Sequence, residues 1–176
     1  EDLGVSIGSI ELTLTAIFAG TAFGQILYGP LSDRFGRKPV ILVTLFLFGT
    51  CTIAVAQATT LEPIVFWRFL QGMLLASGRI IANAAARDQY DGERLGKLIS
   101  LIFMVSISAS VLNPIVGGLL VANYGWQSVF LGMTFYAVCL FFAVLVYFRE
   151  TLATKDATAI NPVSLLDNFI VISKNR

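Results

Sequence analysis

The sequence predicts an all-α integral membrane fold with five transmembrane helices, and three observations carry that prediction. Of the 176 residues, 56% are hydrophobic and 13% charged, against about 25% charged in an ordinary soluble domain; the mean hydropathy is +0.80. The charge is also segregated. Leu12 to Ser32, Pro39 to Leu61 and the 51 residues from Leu98 to Phe148 carry none. A bilayer core takes about 20 apolar residues per helix, so the first two runs read as one span each and the third as two joined by a turn. The third observation is the placement of the bases. Arg34, Arg37, Lys38, Arg87, Arg94, Lys97, Arg149, Lys155, Lys174 and Arg176 follow the first, third and fifth spans, and the lead-in and the other two loops hold none. By the positive-inside rule the N-terminal end lies outside and the C-terminal end inside.

The elements follow in order. Residues 1–8 read as an extramembrane lead-in, and no basic region precedes the first apolar run, so no signal peptide is expected in it. The first span is expected over about 9–31. Its Ala16, Gly20 and Gly24 recur at every fourth position, a stripe that lets a neighbouring helix approach closely. Thr21, Gln25 and Tyr28 lie beside the stripe, facing either a cavity or, as the favoured role, a packing neighbour. A polar turn is expected over Gly29–Pro39, with one acid, Asp33, among Arg34, Arg37 and Lys38. The second span, 39–58, starts on Pro39, which suits a first helical turn; its uncharged Leu, Phe, Val and Ile suggest a support helix facing lipid.

The third span, 64–86, differs in kind, since it contains Arg68, Gln71, Arg79 and Asn83. At 100° per residue Arg79 lies about 20° around from Arg68, and Gln71 and Asn83 within about 60°. An arginine inside a membrane is costly and ordinarily faces a cavity or a partner. For Arg68 and Arg79 the alternative is a snorkel to the nearer surface. Residues 87–97 read as a solvated charged loop. The fourth span, 98–122, has small residues at helical spacing, Ser106, Ala109, Ser110, Asn113, Pro114, Gly117 and Gly118, a pattern for close packing and bending. Asn123–Gln127 supplies the turn, with Tyr124 and Trp126 as interface anchors. The fifth span, 126–148, is aromatic and aliphatic and ends at Arg149-Glu150-Thr151. The tail is more polar, and Val163 to Ser173 is modestly amphipathic, as for a segment on the membrane surface.

The chain has no histidine, no nucleophile beside a base and no metal-ligand spacing, so neither an enzyme nor a metal site is expected. Cys51 and Cys139 sit in apolar runs and read as small packing residues. A channel would need a filter-like loop or a ring of acids, which the pattern lacks.

Gly29, Leu31, Ser32, Asp33, Arg34, Gly36, Arg37 and Lys38 together resemble the G-x-L-[AS]-D-R-x-G-R-[RK] signature between the second and third helices of major facilitator superfamily transporters. Arg68-Phe69-Leu70-Gln71-Gly72 is similar to the fourth-helix R-x-x-Q-G motif of proton-coupled members. Asn113-Pro114-Ile115-Val116-Gly117-Gly118 resembles the fifth-helix antiporter motif, departing at Ala109 and Asn113, where glycine is usual. Ala86-Arg87-Asp88 resembles a stretch of the bicyclomycin/chloramphenicol-resistance group of multidrug exporters.

The resemblance implies helices two to six of a twelve-helix transporter, with residues 1–151 a partial N-terminal bundle and 152–176 the start of a cytoplasmic loop between bundles. It also implies proton-driven export of drugs or other small molecules across a bacterial inner membrane by alternating access. A symporter or facilitator for a small metabolite is the alternative within transport, and a non-transport membrane subunit the alternative outside it. The signature loop, including Gly29, Leu31, Asp33, Arg34, Gly36, Arg37 and Lys38, would act as a conformational latch. Arg68, Gln71, Arg79 and Asn83 would form a proton-coupling polar stripe. Asn113, Pro114, Gly117 and Gly118 would belong to an antiporter-like helix. The expected partners are a small-molecule substrate, the lipid bilayer, and a first helix and second six-helix half of the same protein. No nucleic acid and no cofactor are expected, the proton gradient supplying the energy. The absent initiating Met and the numbering of the helices together lead us to expect a fragment.

Overall fold

A computed structural model describes residues 7–156, with side chains described from residue 11. Five helices make up its regular structure: α1 (Ile7–Phe35), α2 (Arg37–Gln57), α3 (Leu61–Gln89), α4 (Gly92–Tyr124) and α5 (Gln127–Tyr147). Each is long and apolar enough to cross a bilayer. The all-α membrane fold read from hydropathy is thus the fold adopted, and the expected Val163–Ser173 segment lies outside the described residues. Phe18, Phe46, Leu119 and Phe135 are among many large apolar side chains left exposed, the outer surface that a lipid solvent favours.

The α1–α3 pair is drawn together by glycine. A Cβ on Gly20 or Gly24 would collide with the backbone carbonyls of Phe69 and Met73 on α3, and one on Gly72 with that of Ile17 on α1. Lipid supplies no hydrophobic drive between helices, so close backbone approach and interhelical hydrogen bonds must hold the pair. The Thr21 hydroxyl lies within hydrogen-bond distance of the Ile17 carbonyl, at 2.8 Å, and of the Gly72 carbonyl across the seam, at 3.2 Å. The expected Gly20–Gly24 stripe is therefore a real seam.

The second helix departs in part from expectation. One side, with Val43 and Phe46, is exposed as a lipid-facing helix would be, but α2 also lies between α3 and α5 and buries Arg37, Val40, Thr44, Phe48, Cys51, Thr52 and Val55 on its other side. Three apolar clusters run along this seam: Tyr28, Val40, Ala76 and Ile81; then Phe48, Cys51, Leu74 and Ala137; then Val55, Ile64 and Phe130. The uniform hydropathy of α2 hid its two faces, because lipid and a neighbouring helix accept the same side chains. Cys51 packs inside as expected, whereas Cys139 is exposed.

Two further expectations change. The polar turn of Gly29–Pro39 shrinks to Gly36 alone, because α1 stays helical through Phe35 and α2 begins at Arg37. Residues 87–97 are mostly helical rather than loop, with only Tyr90 and Asp91 between α3 and α4. Polar residues can continue a helix beyond the membrane, so a charge run marks the interface and not the helix end. None of the described residues of α4 is buried, and nothing lies within 4 Å of a Cβ built on Gly117 or Gly118.

Candidate functional site

At the inner end the chain reverses at Gly36, whose φ of 106° is open only to glycine without strain. A Cβ there would also stand 2.6 Å from Glu150 Oε2. The carboxylate of Glu150 sits on the start of α2 and accepts the backbone amides of Arg37 at 2.9 Å and Lys38 at 3.2 Å. It accepts those of Thr151 and Leu152 as well, both at 3.1 Å. Partial burial works against its ionisation, but these four amides together outweigh that and hold its pKa below the usual glutamate value. The acid also neutralises the positive end of α2. At the other end of the same contact, Lys38 Nζ donates to the Leu145 carbonyl in the last turn of α5 at 2.9 Å, where a cation complements the negative end of a helix.

Arg37 is the hub. Its side chain is only 7% exposed and reaches Asp33 Oδ1 through Nη1 at 2.7 Å and Asp88 Oδ2 through Nε at 3.0 Å. Nη1 also donates to the Ser32 hydroxyl. Asp88 Oδ2 accepts the Thr151 hydroxyl at 3.1 Å, and the Asp156 amide donates to the Asp33 carbonyl at 3.1 Å. One guanidinium thus ties the end of α1, the start of α2 and the end of α3, and Asp88, the Asp33 carbonyl and the amides at the start of α2 in turn hold the segment leaving α5. Of the residues anticipated from the loop, Asp33, Gly36, Arg37 and Lys38 meet here. Arg34 lies exposed over the Phe35 ring at 5.5 Å, Leu31 is half-buried, and Gly29 lies inside α1 with nothing within 4 Å of an added Cβ. Ser32, part of the same signature, joins the cluster through Arg37, whereas Asp88, Glu150 and Thr151 were not assigned to it from sequence. The signal was present in the Arg87-Asp88 and Arg149-Glu150-Thr151 steps, but nothing local pairs positions 51 and 113 residues apart.

The α3 stripe divides in two. Gln71 turns into the α2 seam, where its amide donates to Thr52 Oγ1 at 2.9 Å; about two helical turns further, the Ser77 and Thr44 hydroxyls bond at 2.9 Å. Arg68 stays at the edge of this seam. Its Nη1 is 3.4 Å from Gln71 Oε1 and its guanidinium lies 4.7 Å over the Phe130 ring, while Nε is buried without a hydrogen-bond partner among the described residues. Arg79 is exposed, and Asn83 Oδ1 is buried without a partner among the described residues. Asn113 and Pro114 are exposed on α4.

Membrane-spanning helices clamped by charge at one end, with a polar stripe down the central one, define a polytopic α-helical membrane protein. The profile of the Major Facilitator Superfamily matches residues 1–174, and the chain belongs to that family of transporters. Among similar proteins are a bicyclomycin resistance protein homolog of Haemophilus influenzae, 30% identical over 100% of this chain and 44% of its own length, and the multidrug resistance protein MdtL of Klebsiella pneumoniae, 32% identical over 97% of the chain and 45% of its own. An uncharacterized MFS-type transporter, YdgK of Bacillus subtilis, is 31% identical over 86% of the chain and 38% of its own. The chain therefore spans less than half the length of these relatives.

Proposed function

We propose that this chain forms helices two to six of a proton-coupled secondary transporter that exports drugs or other small molecules from bacteria by alternating access. In this reading residues 1–151 belong to the N-terminal bundle and residues 152–176 begin the cytoplasmic loop between bundles. A further first helix and a second six-helix half complete the transporter. Residue 1 lies outside the inner membrane and residue 176 in the cytoplasm, with the proton gradient as the energy source and no cofactor. The names of the relatives support drug export, and their length supports a larger whole.

Arg68 carries the reading. It is a guanidinium on a membrane span, held by an amide and a ring face and paired with no carboxylate among the described residues. A guanidinium does not release its proton, so its role is to lower the pKa of a carboxylate brought to it from elsewhere in the protein and favour proton release. In the full-length protein, Arg68→Ala abolishes proton-driven accumulation of the neutral drug chloramphenicol in inverted vesicles, which is export in the cell, and Arg68→Lys restores it in part. Export at the wild-type rate by the alanine variant overturns the assignment. The Asp33–Arg37–Asp88 cluster acts as the latch, closed in one of the two access states. Asn113, Pro114, Gly117 and Gly118 form the antiporter-like face of α4.

A further inference from the structure

Arg79 is the second arginine on the membrane part of α3, and its surroundings set it apart from every other base in the spans. α1 takes the side of α3 that carries Gly72, Met73 and Ala76; α2 takes the side of Gln71, Leu74, Ser77 and Ile81. Arg79 lies on the third side, about 20° around from Arg68, next to the exposed Leu75 and Gly78. Its distance from the inner charge cluster is nine residues, about 13 Å along the axis to Asp88, too far to share that carboxylate. The acids of the described residues are Glu11, Asp33, Glu62, Asp88, Asp91, Glu93, Glu150 and Asp156, all at or near helix ends or beyond them. No hydrogen bond or ion pair engages the Arg79 side chain among the described residues.

One turn further, rotated about 40° towards the α1 side, stands Asn83, whose Oδ1 is buried and without a partner among the described residues. Side chains four apart on a helix are about 5–6 Å apart at their Cβ atoms. A planar cation that takes carboxylates bidentately therefore stands one turn from an acceptor that wants an N–H or O–H.

We infer that Arg79 and Asn83 form a recognition point for a transported small molecule carrying a carboxylate and a nearby N–H or O–H donor. The inference rests on the transporter reading above and gives it a substrate class. Charge complementarity argues for an anionic group: an unpaired cation at this depth, on the one side of α3 that neither α1 nor α2 covers, repels cationic cargo and holds anionic cargo. The acceptor beside it then favours amino-acid-like or hydroxy-acid-like compounds over simple anions.

The test uses the purified full-length protein and two fluorescent probes of one shape, dansylglycine, with a carboxylate and an N–H, and its neutral amide. A hydrogen-bonded charge is worth about 1.5–3 kcal/mol, so wild type binds the acid about ten- to hundredfold more tightly than the amide. Arg79→Gln removes that preference while leaving binding of the amide in place, and Arg79→Lys keeps most of it. Asn83→Leu weakens both probes together, because both offer the N–H. Equal affinity of wild type for acid and amide overturns the inference. So does an equal loss of both probes in Arg79→Gln, which would assign the arginine to a carboxylate elsewhere in the protein. Proton-driven export of a neutral drug, chloramphenicol, by wild type, measured in parallel, separates the two readings: export without acid preference sinks only the recognition point, and absence of export sinks the transporter reading.

Discussion

Arg37 and Arg68 are both guanidinium groups taken largely out of solvent, yet they are treated in opposite ways. Arg37 has two carboxylates, a serine hydroxyl and the support of a capped helix start. Arg68 has one long contact to an amide, a ring beneath it and a buried Nε with nothing to donate to among the described residues. The difference separates a charge that holds a shape from a charge kept in reserve. A satisfied ion cluster fixes the relative placement of the segments that supply it. An unsatisfied buried cation stores an interaction that some other group, in some other state, can complete.

The largest expected effect breaks this comparison by removing each charge in turn. Arg37→Met leaves Asp33 and Asp88 facing each other without a counter-ion. A fully buried pair loses about 3–5 kcal/mol in that way. With the Asp33 and Asp88 side chains 43% and 21% exposed, solvent screening reduces the expected loss to about 2 kcal/mol. Arg68→Met removes an uncompensated buried charge and replaces it with a side chain of similar length, so the melting temperature in detergent is unchanged or rises. Equal destabilisation by the two substitutions would erase the distinction.

The next effect sharpens the same contrast within the signature loop. Gly36→Ala forces a side chain into φ 106° and against the Glu150 carboxylate, and about 1–3 kcal/mol of stability is lost. Gly29→Ala, within α1 and facing open space, is neutral or gains up to about 1 kcal/mol from helix propensity. Thermal denaturation of the two variants side by side checks this. A comparable loss at both positions would mean that the loop's glycines serve a contact not seen here.

The smallest effect concerns Glu150. Its folded-state pKa lies below the ordinary value, so the stabilisation it brings is fully present above the unfolded pKa of about 4.3 and is lost as pH falls through the lower folded value. The group is exposed, which limits the contribution to under about 1 kcal/mol. Wild type should therefore melt slightly above Glu150→Gln at pH 7, with the two curves converging below about pH 4.3. A difference that stays constant down to pH 3 would leave the amide contacts without a role for the charge.

What the sequence determined by itself follows from the bilayer as solvent. Uncharged runs of spanning length, the clustering of bases between those runs and the Gly20–Gly24 spacing all depend on local composition and helical geometry, and among the described residues they reappear as helices, charged helix ends and a seam. The lateral arrangement required the tertiary structure. Nothing in the uniform apolar character of α2 distinguished the side that buries Val40, Phe48, Cys51 and Val55 from the side carrying Val43 and Phe46, because lipid and protein interior reward the same side chains. The partners of Arg37 were equally unreadable. Asp88, at the end of α3, and Glu150, in the segment just past α5, approach it from far along the chain, and only the close glycine seam and the α2–α5 contact bring those ends to one point.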